Sequence, residues 1–293
     1  MIAMSTMMTM TPVRERCATL GRQVLQALLD EVTLTPKPGL VDLRSRGAHT
    51  DLNWALMCHS ACVLEPVFAA MADAGARSED DDLLRQRIGA IGRDGEALML
   101  AATGGVNTHR GAIWALGLLV TAAALEPDNC SAGQLTLRAA KLALIEDRNV
   151  VAQQSHGAQV AQRYGAMGAK EQAQLGFPAV MQKGLPQLQC SRANASGEQN
   201  ARLDALLAIM TTLADTCVLY RSGLEGLNAM QQGAQRVLDA GGSASLAGRR
   251  RLHELDQQLL QLNASPGGAA DLLAACLFID SLEPALGSES RSV

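Results

Sequence analysis

The chain has 293 residues, of which 48% are hydrophobic but only 2% aromatic, and it carries a formal net charge of −4. A core so poor in aromatic and β-branched side chains favours packed helices over sheets, and an acidic balance with no long basic run argues against nucleic-acid binding. Seven scattered cysteines with no CxxC pair, an odd count, and no secretory-type leader suggest reduced thiols in a cytoplasm.

Met1 to Met10 is rich in Met and Thr and lacks a positive region before an apolar run, so residues 1–12 are expected as a frayed tail. Residues 13–285 are expected as one all-helical domain, with 286–293 a second tail. Val24, Leu25, Leu28, Leu29 and Val32 recur at helical spacing, which predicts a helix over Val13–Leu34. Pro36 and Pro38 end it, and Thr35 to Asp42 is predicted as a stiff loop carrying Lys37, Gly39 and Asp42. After Gly47-Ala48-His49, Thr50 is expected to cap a helix with Asp51 in its first turn. Cys58 and Cys62 on that helix read as small buried residues rather than metal ligands. Ser78 to Asp82 then opens a helix that carries Glu96 near its end.

Thr103-Gly104-Gly105-Val106-Asn107-Thr108-His109-Arg110-Gly111 separates two apolar segments. Two adjacent glycines permit positive φ or close approach of a ligand, and Asn107 or Thr108 can cap the next helix. Ala112 to Leu125 is nearly all small and aliphatic, and predicts a buried helix. Four hydrogen-bonding side chains would then stand at a helix start, where free N–H groups and the dipole favour an anion. That run is also the longest apolar stretch and too short to span a bilayer, so a soluble protein with no membrane partner is expected.

Leu135 to Ile145 is a further helix, and Cys190 to Asn200, rich in Ser, Asn and Gly, is expected as a mobile surface loop. Leu203 to Leu219 reads as an apolar helix with Asp215 inside it, costly unless the carboxylate is paired or bound to metal. If the helix continues, Arg221 and Glu225 face one another at i, i+4. Gly241-Gly242 closes the next helix and Ser245 to Leu262 forms another. Ser265 is expected to cap a final helix with Pro266 at its first position. Gly267 and Gly268 just inside that helix imply close approach to a neighbouring helix or a ligand.

Phosphate-loop, dinucleotide, HExxH and EF-hand motifs are absent. The residues alone thus give an all-α protein with a polar cleft formed by helix ends and glycine-rich breaks, suited to an anionic ligand.

Four motifs in order add to this: Glu31-Val32, Leu34 and Pro36-Lys37-Pro38-Gly39-Leu40-Val41-Asp42; Gly47-Ala48-His49 with Asp51; Gly105-Val106-Asn107-Thr108-His109-Arg110-Gly111; and Ser265-Pro266-Gly267-Gly268 with Ala270-Asp271-Leu272-Leu273. The likeness also takes in Gly168-Ala169 with Glu171, Ala173 and Gly176-Phe177-Pro178. Together they resemble the triphosphoribosyl-dephospho-CoA synthase family. Asp215-Thr216-Cys217 with Arg221, Gly223 and Glu225-Gly226-Leu227 looks more like its malonate decarboxylase branch than its citrate lyase branch; Ser222 stands where many relatives look Gly-rich. The resemblance implies transfer of the triphosphoribosyl group of ATP to the 2′-hydroxyl of 3′-dephospho-CoA with release of adenine. It also implies Mg²⁺, and a link to an acyl carrier protein and its prosthetic-group transferase; the oligomeric state stays open, a homodimer included.

On that reading Lys37 and Arg110, with the Gly104–Gly105 and Gly267–Gly268 backbones, hold phosphates. Asp42, Asp215 and Asp271 are Mg²⁺ or general-base candidates, with Glu171 and Glu225 as alternative bases. His49, Asn107 and His109 position ribose or adenine, and Gly39, Thr108, Arg221 and Ser265 complete the substrate-binding set. Two other readings share part of this chemistry: an Mg²⁺-dependent all-α glycohydrolase of ADP-ribose-like substrates, and a non-catalytic helical scaffold for a carrier protein.

Overall fold

The computed structural model describes residues 2–149, 156–166 and 168–283, with the backbone alone for residues 2–11 and 156. The described residues contain twelve α-helices and no strand. These are α1 (Ile2–Thr33), α2 (Trp54–Ala76), α3 (Asp81–Ala102), α4 (Arg110–Leu125), α5 (Ala132–Leu144), α6 (His156–Tyr164), α7 (Ala169–Gln174), α8 (Leu185–Ala193), α9 (Glu198–Met210), α10 (Thr216–Asp239), α11 (Leu246–Gln261) and α12 (Gly267–Leu282). A π-helical turn, Val180–Gly184, leads into α8.

Two helices make the centre. α4 is buried from Ala112 to Ala124 except at Trp114, and α12 is buried over Leu272–Ile279. A helix that is apolar on every side has no face to offer water, so it ends up enclosed. α4 packs on α12, with α1, α2, α3, α5 and α7 around it, while α12 also meets α1, α9 and α10. α2 is the one described helix long and apolar enough to cross a bilayer. The count of consecutive apolar residues overlooked it because His59, Glu65 and Asp73 interrupt the run. In this fold it lies between α1, α3 and α4, burying Leu64, Phe68, Met71 and its small neighbours.

Several helix ends differ from the sequence expectation, each for a capping reason. Asn53, not Thr50, opens α2, its side chain accepting from Leu56 N at 3.0 Å; Asp51 therefore lies in the preceding loop. Cys62 is exposed and Cys58 half-buried rather than sunk in the core. Of the expected loop Cys190–Asn200, only residues 194–197 lie outside helices. Arg192 closes that turn by bonding Glu198 (2.8 Å) and Asp280 (2.9 Å). The expected helix through Asp215 is two helices, α9 and α10, separated by a turn over 211–215. α10 is itself interrupted at Gly223 (φ 63°, ψ −155°). That break removes the i, i+4 geometry, so Glu225 is exposed and Arg221 bonds elsewhere. The start of α1 at Ile2 lies well before Val13, and residues 284–293, including the expected tail, lie outside the described residues.

Asp215 is the junction of the two C-terminal helices that matter most. Its Oδ1 accepts from Cys217 N (2.9 Å) and Val218 N (3.2 Å) at the start of α10, and its Oδ2 from Ala269 N (2.9 Å) at the start of α12. Gly267 and Gly268 answer this approach: a Cβ on Gly268 would stand 3.1 Å from Asp215 Oδ2, and one on Gly267 3.0 Å from Cys217 Sγ. Burial pushes the Asp215 carboxyl up to about 6, the backbone N–H bonds opposing it. Because the folded value exceeds the ordinary 3.8, the native state binds the proton more tightly, and this group's contribution to stability falls as pH rises from 4 to 6 and is flat above. Asp215→Ala, which uncaps both helices, is expected to cost about 3 kcal/mol in denaturant unfolding at unchanged m. Asp215→Asn should flatten that acid-side slope; an unaltered slope would assign it to other groups.

Candidate active site

The N-termini of α4, α10 and α12 open onto one cavity of about 840 Å³. The start of α4 supplies Gly104, Gly105, Asn107, Thr108, His109 and Arg110; the start of α10 supplies Asp215, Thr216 and Cys217, with Arg221 one turn on; the start of α12 supplies Ser265, Gly267, Gly268 and Asp271. α1 and the loop after it add Glu31, Lys37, His49 and Asp51, and the start of α7 adds Gly168, Ala169 and Lys170. Each start carries the positive end of a helix dipole, which favours anions, although Asp215 already accepts first-turn N–H groups of α10 and α12 and Asn107 that of Arg110.

The glycine pair ends one helix before the next begins. Gly104 (φ 66°) and Gly105 (φ 90°) terminate α3, with Gly105 N bonded to Leu100 O at 2.7 Å. A Cβ on either glycine would meet nothing within 4 Å, so the turn leaves open space in front of it. Asn107 Oδ1 then accepts from Arg110 N at 3.2 Å, which starts α4. Ser265 does not cap α12; its hydroxyl meets His49 Nε2 at 2.8 Å, tying the loop after α1 to the start of α12.

Most cations here are already engaged. Lys37 is buried, with Nζ 2.5 Å from Glu31 Oε1 and 2.8 Å from Glu31 O. Arg110 pairs with Glu96. Arg221 donates from Nε to Asn263 O (3.0 Å), from Nη2 to Asn263 Oδ1 (2.6 Å) and to Ala48 O, and approaches His49 Nδ1 at 3.4 Å. Burial, then Arg221, pushes the His49 ring below its ordinary value, while Asp51 opposes them.

Three buried polar atoms on the wall have no hydrogen-bond partner among the described residues: His109 Nε2, Arg110 Nε and Trp114 Nε1. Native proteins rarely leave such atoms unpaired, so this wall is the candidate place for polar groups of a ligand. His109 is fixed by Ser60, whose Oγ lies 2.9 Å from Nδ1 and 2.6 Å from Thr108 Oγ1. If the Ser60 proton goes to Thr108, Nδ1 carries its own hydrogen and Nε2 accepts; if it goes to Nδ1, Nε2 donates. Burial, then Lys37, depresses His109 to about 4, so the ring is neutral at pH 7.

Asp271 differs from Asp215. The residue is half-buried, but its carboxyl is turned inward over α4: a Cβ on Gly111 would lie 2.1 Å from Oδ2. Burial, then Glu31 and Asp215, raises its pKa well above the ordinary carboxylate value, against a bond from Ala112 N.

Four residues named from the sequence do not reach the cavity. Asp42 is buried within its own loop, accepting from Lys37 N (3.1 Å), Arg44 N (2.7 Å), Ser45 N (2.9 Å) and Thr35 Oγ1 (2.9 Å). Burial raises its pKa, but those bonds outweigh it and the net shift is downward. Gly39 donates to Asp256 Oδ1 at 2.9 Å, away from the wall. Glu171 and Glu225 do not line it. Conversely Glu31, Trp114 and Lys170 line it without having been given a role. Glu31 and the Gly168-Ala169 segment already stood inside the quoted motifs, and that was the available signal. No group of three His, Cys, Asp or Glu able to hold a metal occurs among the described residues.

The family model described as ATP:dephospho-CoA triphosphoribosyl transferase matches residues 17–290. A protein of Pseudomonas syringae pv. tomato, named a probable 2-(5''-triphosphoribosyl)-3'-dephosphocoenzyme-A synthase, is 69% identical over 279 residues, covering 95% of each chain. A protein of the same name from Azotobacter vinelandii is 64% identical over 270 residues, 91% of this chain and 92% of its own; another from Pseudomonas aeruginosa is 60% identical over 270 residues, 92% of each. No solved structure matches the chain. With its four motifs gathered on one cavity and a family model spanning nearly its whole length, the chain belongs to the ATP:dephospho-CoA triphosphoribosyl transferase family.

Proposed function

We infer that this chain transfers the triphosphoribosyl group of ATP to the 2′-hydroxyl of 3′-dephospho-CoA and releases adenine, the activity its relatives' names carry. The observation that carries the inference is a cavity where three helix N-termini meet Asp271, whose carboxyl is turned inward against the start of α4. In the reaction the bond from C1′ of the ATP ribose to N9 of adenine breaks and one to the acceptor oxygen forms. The acceptor hydroxyl gives up its proton and adenine gains one, so the proton count closes. The sugar becomes cation-like as the base departs, and a proton donor to adenine eases departure.

Asp271 is the donor on this reading: burial, then Glu31 and Asp215, push its carboxyl toward the protonated form, and its oxygens, unlike those of Asp215, do not cap two helices. Asp215, ionised at neutral pH, supplies negative charge to the developing cation, and because N–H groups occupy its oxygens the acceptor proton passes to solvent. His109 Nε2 and Trp114 Nε1 offer hydrogen bonds to base or ribose. Asp42, Glu171 and Glu225 receive no role. The residues present fit a built Mg²⁺ site poorly: N–H groups already occupy Asp215 and Asp42, and Asp271 is turned against the start of α4. Mg²⁺ is accordingly proposed as a companion of the triphosphate, which it neutralises, with Asp51 the cavity carboxylate least tied. The likeness of the 215–227 segment supports a product passed on to the acyl carrier protein of a malonate decarboxylase, in the cytoplasm.

Incubation with ATP should release adenine only when 3′-dephospho-CoA is present, and mass spectrometry should show the joined product. Adenine released equally without the acceptor would instead indicate a hydrolase. The rate should fall on the alkaline side, with an inflection well above the ordinary carboxylate range, as Asp271 loses its proton. Asp271→Asn should lower kcat by about 10²-fold or more with the alkaline limb gone; a variant that keeps the wild-type profile would remove Asp271 as the donor.

A further inference from the structure

We propose that Lys170 is the side chain that grips the triphosphate of the nucleotide, an assignment that rests on the transfer reaction inferred above. The cationic side chains on the cavity wall are Lys37, Arg110, Lys170 and Arg221. Lys37 is buried against Glu31, whose carboxylate and carbonyl take two of its three hydrogens. Freeing it would leave Glu31 as an uncompensated buried charge. Arg110 is paired with Glu96, and Arg221 spends its fork on Asn263, Ala48 and His49. Lys170 is exposed and, among the described residues, has no hydrogen bond or ion pair. Its charge is thus the one on the wall that the protein leaves unspent.

Its root is rigid although its head is free. A Cβ on Gly168 would lie 2.7 Å from Thr216 Cγ2, so the segment is pressed against the start of α10 beside Asp215. Beyond Lys170, Ala173 and Phe177 are fully buried, and Gln172 Oε1 holds Ala179 N at 3.0 Å. A lysine on such a base is a movable point charge with three donors, a form suited to an oligophosphate tail that must be held and not cleaved. The exposed head and the buried unpaired atoms of His109 and Trp114 then divide the ligand: phosphates toward the mouth, sugar and base within.

The test uses the full chain and inorganic tripolyphosphate as probe, followed by calorimetry, beside steady-state adenine release. Wild type should bind tripolyphosphate, and Lys170→Ala should weaken that binding about tenfold, equivalent to about 1.4 kcal/mol. The same variant should raise the KM for ATP by a similar factor and leave the KM for 3′-dephospho-CoA in place, with Lys170→Arg recovering most of both. Equal tripolyphosphate affinity in wild type and Lys170→Ala, or no binding to wild type, overturns the assignment while leaving the transfer reaction standing if adenine is still released. Binding that depends on Lys170 in a protein that releases no adenine keeps the anion site and overturns the reaction.

Discussion

One carboxylate holds two helices end to end. Asp215 accepts backbone N–H groups from the first turns of both α10 and α12, and each of those turns contributes to the cavity wall. A single acidic side chain cannot bridge two helix starts unless both backbones come very close, and Gly267 and Gly268 permit that approach. The cost is a desolvated charge, visible in the raised pKa; the return is a fixed spacing between two groups of oriented dipoles. The start of α4 joins them because α4 and α12 are both apolar all round and pack side by side.

Lysine and arginine on the cavity wall are largely neutralised or engaged by neighbours, and the first-turn N–H groups of α10, α12 and α4 are partly taken by Asp215 and Asn107. The dipole ends of these helices favour an anionic phosphate, whereas a cation-like sugar is steadied by a carboxylate.

The parts of this arrangement legible in the sequence were those with a local signature. The all-aliphatic run of α4 and the acidic start of α3 declared themselves, as did the glycine breaks. Three kinds of information were not local. Asp215 reads as a helix interior because Leu213 and Ala214 continue the apolar pattern up to it, but it caps α10 through Cys217 N and Val218 N and α12 through the distant Ala269 N. Arg221 and Glu225 have helical spacing, but a glycine between them leaves the helical conformation. Gly267 and Gly268 fit either a ligand or a close neighbour, and for Gly268 the neighbour is the Asp215 side chain, far back in the chain. The family motifs located the cavity residues better than periodicity did. They could not separate Asp42, which serves its own loop, from Asp271, which faces the ligand space.

The Glu31–Lys37 pair has a consequence for reading variants of this protein. Both side chains are almost wholly removed from water and each is the other's counter-ion. Truncating either alone strands the survivor, a loss of about 3–5 kcal/mol that has nothing to do with substrate. Single-site scanning would therefore score both positions as indispensable and invite a chemical explanation for what is electrostatic book-balancing inside the scaffold. Only a thermodynamic cycle that removes the two together separates their coupling from any direct contact with the nucleotide.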